Sequence, residues 1–204
     1  MIKVVNLRKI VVFVVIFVIF FIILYYKNFL FGNNISKNRV DKKIENILQN
    51  MNNYNAEIEV TVSSNKTENK YKMYQEVENN HSMQEISDGE NEGMKIELND
   101  GILKISNAKL NLEKVYENYE ETLNNSLFLN SFANDYSDEE NNSKSAEEND
   151  EIVLEVELKK NTNTYIKYKK LYLDKNTLNP KKLEVKGTTK KETICIIYNS
   201  VELN

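Results

Sequence analysis

Histidine and cysteine, two of the side chains most often used in catalysis, are scarce in this 204-residue chain, so each can be weighed in turn. There is one histidine, His81, and one cysteine, Cys195. A hydrolytic triad would have to recruit His81 as its base. The sequence around it, Asn79-Asn80-His81-Ser82, reads as a surface turn, and no Gly-x-Ser-x-Gly nucleophile elbow occurs anywhere. One His and one Cys do not supply the ligands of a structural zinc site. Cys195 sits in Thr193-Ile194-Cys195-Ile196-Ile197, which reads as a buried strand where a thiol packs as a small apolar group. An intrachain disulfide needs a second cysteine, and there is none.

Carboxylates are plentiful, but their placement argues against paired acid–base work. Glu57, Glu59, Glu155 and Glu157 take the solvent phase of alternating segments. Asp138, Glu139 and Glu140 fall in an acidic, Ser/Asn-rich stretch, 137–150, expected to be a disordered loop too mobile to position a reacting group. The cluster Asp135–Asp138 lacks the spacing and glycine of a calcium loop, and no glycine-rich phosphate loop is present. The sequence therefore predicts no catalytic, cofactor or metal site.

Charge divides the chain. Lys3, Arg8, Lys9 and Lys27 flank an uncharged run from Ile10 to Tyr26, and no acid precedes Asp41. Beyond Lys27 there are 23 basic and 31 acidic residues, a net charge of about −8, which does not suit a nucleic-acid binder. The 17-residue run covers about 25 Å as a helix, at the short end for a bilayer span. Flanking Lys and Arg can snorkel, and Tyr25 and Tyr26 suit the interface. No Ala-x-Ala cleavage site or lipid-accepting cysteine follows. Residues 1–27 are thus predicted to be an uncleaved, single-pass signal-anchor in the cell membrane, N-terminus cytoplasmic, with 28–38 as linker.

Residues 39–204 must then form one extracytoplasmic domain. Val40, Ile44, Ile47, Leu48 and Met51 fall on one stripe of an amphipathic helix. From Ala56 the period becomes two, with Ile58, Val60 and Val62 opposing Glu57, Glu59 and Thr61. Further strands are predicted over 70–77, 82–87, 94–98, 102–106 and 110–116, with Asn99-Asp100-Gly101 as a hairpin turn. Helical spacing returns with Tyr119, Leu123 and Leu127, flanked by Phe128 and Phe132. Four more strands are expected over 151–160, 164–174, 182–186 and 191–198. Helix, strands, helix, strands without regular β–α alternation is an α+β order. The two helical stripes either pack as core or cover the concave side of a curved sheet, leaving an apolar groove for a lipid, acyl chain or partner. The groove-lining set would be Ile44, Ile47, Leu48, Met51, Tyr119, Leu123, Leu127, Phe128 and Phe132.

Three stretches carry a resemblance. Ile44 through Val60, a helix, a short break and a strand, resembles the opening of LolA-like domains of the outer-membrane lipoprotein carrier superfamily. Leu171-Tyr172-Leu173-Asp174-Lys175-Asn176-Thr177-Leu178-Asn179-Pro180 and onward to Val185 resembles their late hairpin, and Ile196 to Asn204 is similar to their closing strand. Within that superfamily the likeness is to the clostridial spore-germination lipoproteins, the GerS group. It implies an unclosed, curved antiparallel half-barrel with helices on its concave face. It also implies a non-enzymatic binding protein that supports or activates a cell-wall (cortex) amidase; the alternative is a lipid or lipoprotein carrier. This chain departs from the group in carrying a hydrophobic anchor where those proteins carry a lipidated cysteine.

Overall fold

The computed structural model describes residues 42–63, 67–79, 81–89, 91–117, 127–160, 164–189 and 192–204. The expected anchor (1–27), the linker (28–38), and Val40, Tyr119 and Leu123 lie outside the described residues. Among the described residues no helix is long and apolar enough to cross a membrane. The chain forms two compact units, 1–46 and 47–204; the first is represented here by the start of helix α1 (residues 42–50).

The second unit is built on one antiparallel sheet. Its strands are β1 (Asn53–Ser63), β2 (Glu68–Glu78), β3 (His81–Asp88), β4 (Met94–Asn99), β5 (Ile102–Asn107) and β6 (Leu112–Tyr116), followed by helix α2 (Leu129–Ser137). The chain returns through β7 (Asn142–Glu148), β8 (Glu151–Glu157), β9 (Tyr168–Asp174), β10 (Pro180–Lys186) and β11 (Glu192–Leu203). The spatial order is β6-β5-β4-β3-β2-β1-β11-β10-β9-β8-β7, so two meanders join where β11 pairs with β1. The segment carrying α2 must therefore pass from one end of the strand order to the other.

Alternation decides which face is covered. In β1, Tyr54, Ala56, Ile58 and Val60 are buried while Glu57 and Glu59 are exposed. Register carries this inner row onward to Ile196, Leu183, Leu171 and Leu154, each fully buried, at about 2 kcal/mol per side chain. Shifts in register at Glu57/Ile58, Lys72/Met73, Pro180/Lys182 and Val185/Lys186 are bulges, which bend and twist a sheet. The result is the curved, mainly antiparallel sheet of an α+β unit, with α2 on its inner face. The expected Asp100-Gly101 turn is present, with φ of 47° and 76°, the pair of positive values a type I′ hairpin demands.

Residues 137–150 are a correction. Far from being a disordered loop, they begin at the last residue of α2 and contain β7, paired residue for residue with β8 from Asn142↔Glu157 to Glu148↔Glu151. Every β7 side chain is exposed. The strand is held through its main chain, so the apolar signal that marks a half-buried strand is missing. The preceding corner is fixed by its polar residues. Asp138 Oδ1 accepts from Glu140 N, Asn141 Nδ2 donates to Asp135 O, and Asn141 Oδ1 accepts from Lys159 N.

Candidate binding surface

The predicted apolar set is mostly interior. Ile44, Ile47, Leu48, Met51, Phe128 and Phe132 are buried, Met51 and Phe132 completely, and Leu127 is half-buried. Phe132 also stacks on Tyr136 with ring centroids 5.9 Å apart.

Polar groups fix α2 over the sheet. The hydroxyl of Tyr54, fully buried on β1, donates to Gln75 Oε1 at 3.0 Å and accepts from Leu129 N at 3.1 Å. Gln75 Nε2 in turn donates to Leu127 O at 3.2 Å. The first turn of α2, which has no side-chain cap of its own, is thus held from the sheet. Burial pushes the Tyr54 phenol well above its ordinary range, with the Leu129 hydrogen bond opposing, and burial does the same to Tyr198. Toward the end of α2, Lys169 Nζ lies 2.5 Å from Asp135 Oδ2 and 3.1 Å from Ser131 Oγ, with the lysine side chain 2% exposed. Sequence reasoning missed Tyr54, Gln75 and Lys169. For Lys169 a signal existed: it occupies the same strand phase as Leu171 and Leu173, a position where only a paired charge survives.

The outer face is charged and ordered by register. One row across the strands reads Lys144, Glu155, Lys170, Glu184; the next reads Asn142, Glu157, Tyr168, Lys186. Glu155 meets Lys144 at 2.7 Å and Lys170 at 3.1 Å, and Glu184 meets both Lys182 and Lys186. The Lys144 hydrogen bond, with Lys170 behind it, holds the Glu155 carboxyl below its usual range. For Glu184, burial pulls upward and the two lysines outweigh it, so its carboxyl is also lowered.

The two ends of the strand order differ. β7 presents only polar or small side chains, the usual protection of a free edge. At β6, Val115 and Tyr116 are 54% and 44% exposed, beside the exposed Ile102 and Leu110. A main-chain edge that has no further strand beside it among the described residues, and that carries apolar side chains, is a surface suited to another polypeptide.

The remaining expectations resolve locally. His81 is half-buried and opens β3 opposite Glu78 and Asn99, where a turn was expected. Cys195 is half-buried and Ile197 is 40% exposed, because along this part of β11 it is Ile194, Ile196 and Tyr198 that take the inner phase. Among the described residues, no group of three or more His, Cys, Asp or Glu is gathered to hold a metal ion.

Residues 8–204 match the model of a family described as sporulation protein YdcC-like. A comparison with curated proteins finds no match. The chain is similar to a chain in the structure of the CwlD amidase from Clostridioides difficile in complex with the GerS lipoprotein. Identity there is 22% over 82% of this chain and 96% of that one, with a TM-score of 0.49. It is similar to an uncharacterized conserved protein from Thermus thermophilus, with 8% identity over 81% of this chain and 88% of that one, TM-score 0.49. It is also similar to the LolA superfamily protein NE2245 from Nitrosomonas europaea, with 12% identity over 78% of this chain and 93% of that one, TM-score 0.42.

Proposed function

Because the chain belongs to the YdcC-like sporulation protein family, we propose that it is an extracytoplasmic binding protein of sporulating cells. In this reading residues 10–26 tether it to the membrane, and it supports or activates a cell-wall enzyme, an amidase in the first instance, without itself cleaving a substrate. The observation that carries this reading is the β6 edge, last in the sheet among the described strands, whose Val115 and Tyr116 are exposed, as are Ile102 and Leu110 in the neighbouring strand and turn. Such an edge adds a partner's strand through main-chain hydrogen bonds while the apolar side chains supply contact area. A protein partner is favoured over a bound lipid because Met51, Leu129 and Phe132 have no exposed surface.

The full-length chain, purified in detergent from sporulating cells, is expected to release no product from peptidoglycan alone and to co-purify with a cell-wall hydrolase. The V115K/Y116K variant should lose that hydrolase while keeping its melting temperature. Turnover by the purified chain overturns the non-enzyme reading. Stoichiometric lipid in place of the hydrolase moves the carrier reading ahead of this one.

A further inference from the structure

The two charged rows on the outer face enclose a groove. Its volume is about 490 Å³, and its walls are Asn142, Glu157, Tyr168 and Lys186 on one side and Lys144, Glu155 and Lys170 on the other. Between them Ser143, Val156 and Lys169 form the intervening cross-strand row. Their side chains belong to the opposite pleat, so main chain floors the groove, which crosses the strands from β7 to β10. A space of this size takes a small ligand of roughly one to three sugar rings.

The charges are not balanced one to one. Two lysines converge on Glu155 and two on Glu184, while Glu157 has Lys159 at 3.0 Å and Lys167 nearby. Glu148 adds a carboxylate 4.0 Å from Lys170. Among the side chains that wall the groove, three lysines, Lys144, Lys170 and Lys186, thus stand against two carboxylates, Glu155 and Glu157, on a domain that is acidic as a whole. An ammonium has three donors, so lysines shared two to a carboxylate keep donors to offer an anion. Asn142 and Glu157, joined at 3.0 Å, and the half-buried Tyr168 provide the planar polar groups and ring face that suit hydroxylated rings.

We propose that this groove binds an acidic saccharide, sugar rings bearing carboxylates, laid across β7–β10. The inference depends on the extracytoplasmic reading only for the ligand's source, since binding in solution tests the groove itself. Carboxylates reach a glycan in two ways, on a peptide side branch or on the ring, and two probes distinguish them.

The full-length chain in detergent is titrated calorimetrically with muramyl dipeptide, with trigalacturonate and with the neutral chitotriose. One or both acidic probes should bind at about 1 mM or tighter, and the neutral one at least about tenfold more weakly. Affinity should fall severalfold between about 50 and 500 mM NaCl, as screening of partly exposed lysines requires. K170Q/K186Q should weaken binding about fivefold or more, and E157Q should strengthen it by raising the cationic surplus. V115K/Y116K, at the other end of the strand order, should leave saccharide binding unchanged. Absence of binding by both acidic probes up to about 10 mM overturns the proposal. Equal affinity for chitotriose, or indifference to both salt and E157Q, overturns it as well, and these two readouts stand even where the double lysine variant fails to fold. Any of these failures leaves the partner-enzyme reading to its own test.

Discussion

Tyr54 and Tyr198 are both buried phenols on the inner face, yet their hydroxyls stand in opposite positions. Tyr54 joins Gln75 to Leu129 N, whereas Tyr198 Oη has no hydrogen-bond partner among the described residues. Replacing Tyr54 by Phe strands a buried carbonyl and a buried N–H, and should cost about 2 kcal/mol. Tyr198→Phe removes an unsatisfied hydroxyl and should be neutral or stabilising. Urea denaturation of the two variants side by side checks the contrast, and equal losses would remove the network from the account. Both phenols also titrate above their ordinary range in the folded protein because burial disfavours the phenolate. The unfolded chain, with ordinary phenols, releases these protons first. The stability they contribute is therefore complete below about pH 10 and falls as pH rises beyond it. Y54F/Y198F should flatten that alkaline decline, measured as melting temperature against pH.

Two elements owe their places to contacts remote in sequence. The last turn of α2 is held by Asp135 against Lys169, a lysine whose side chain is 2% exposed. D135A leaves an ammonium buried without its anion and should destabilise by about 3 kcal/mol; D135L/K169M removes both charges and should recover most of that loss. A double-mutant cycle by urea denaturation decides, and additive effects would show that the pair is not coupled. β7 is the second such element. It buries no side chain of its own but caps the edge of β8, whose Ile152, Val153 and Leu154 are buried. Replacing 142–148 with a Gly/Ser linker should keep cooperative unfolding, lower stability by about 2 kcal/mol and promote self-association through the bared edge. Thermal melts and sedimentation velocity report the two effects; an unchanged melt with a monomeric sedimentation profile would show β7 to be dispensable.

At the scale of the whole molecule, the expectation of a membrane tether rests on the uncharged run 10–26 and the basic residues before it. Protease added to intact cells should digest the domain and leave an N-terminal stub. A mature N-terminus beyond Lys27, or complete protection of the domain, would refute the tethered arrangement. The sheet ends in one polar edge, β7, and one edge with apolar side chains, β6, which gives a partner a preferred side.

Local pattern alone determined much of this protein. Alternation in Ala56–Val62 and Ile152–Leu158, the Asp100-Gly101 turn and the helical stripe through Ile44, Ile47, Leu48 and Met51 are each legible because one face of the element is buried. The resemblance carried by the opening helix and strand and the late hairpin pointed to sporulation, and the family match covers 8–204. Three things required the tertiary structure. β7 was invisible because an edge strand with solvent on both faces shows no apolar period. Tyr54, Gln75 and Lys169 became a clamp only when residues 21 to 75 positions apart met over the sheet. The charged groove exists because register sets Lys144, Glu155 and Lys170 side by side across three strands. Spacing along a chain records which face of an element is buried, whereas pairing between distant elements follows from sheet assembly and packing, which no local period encodes.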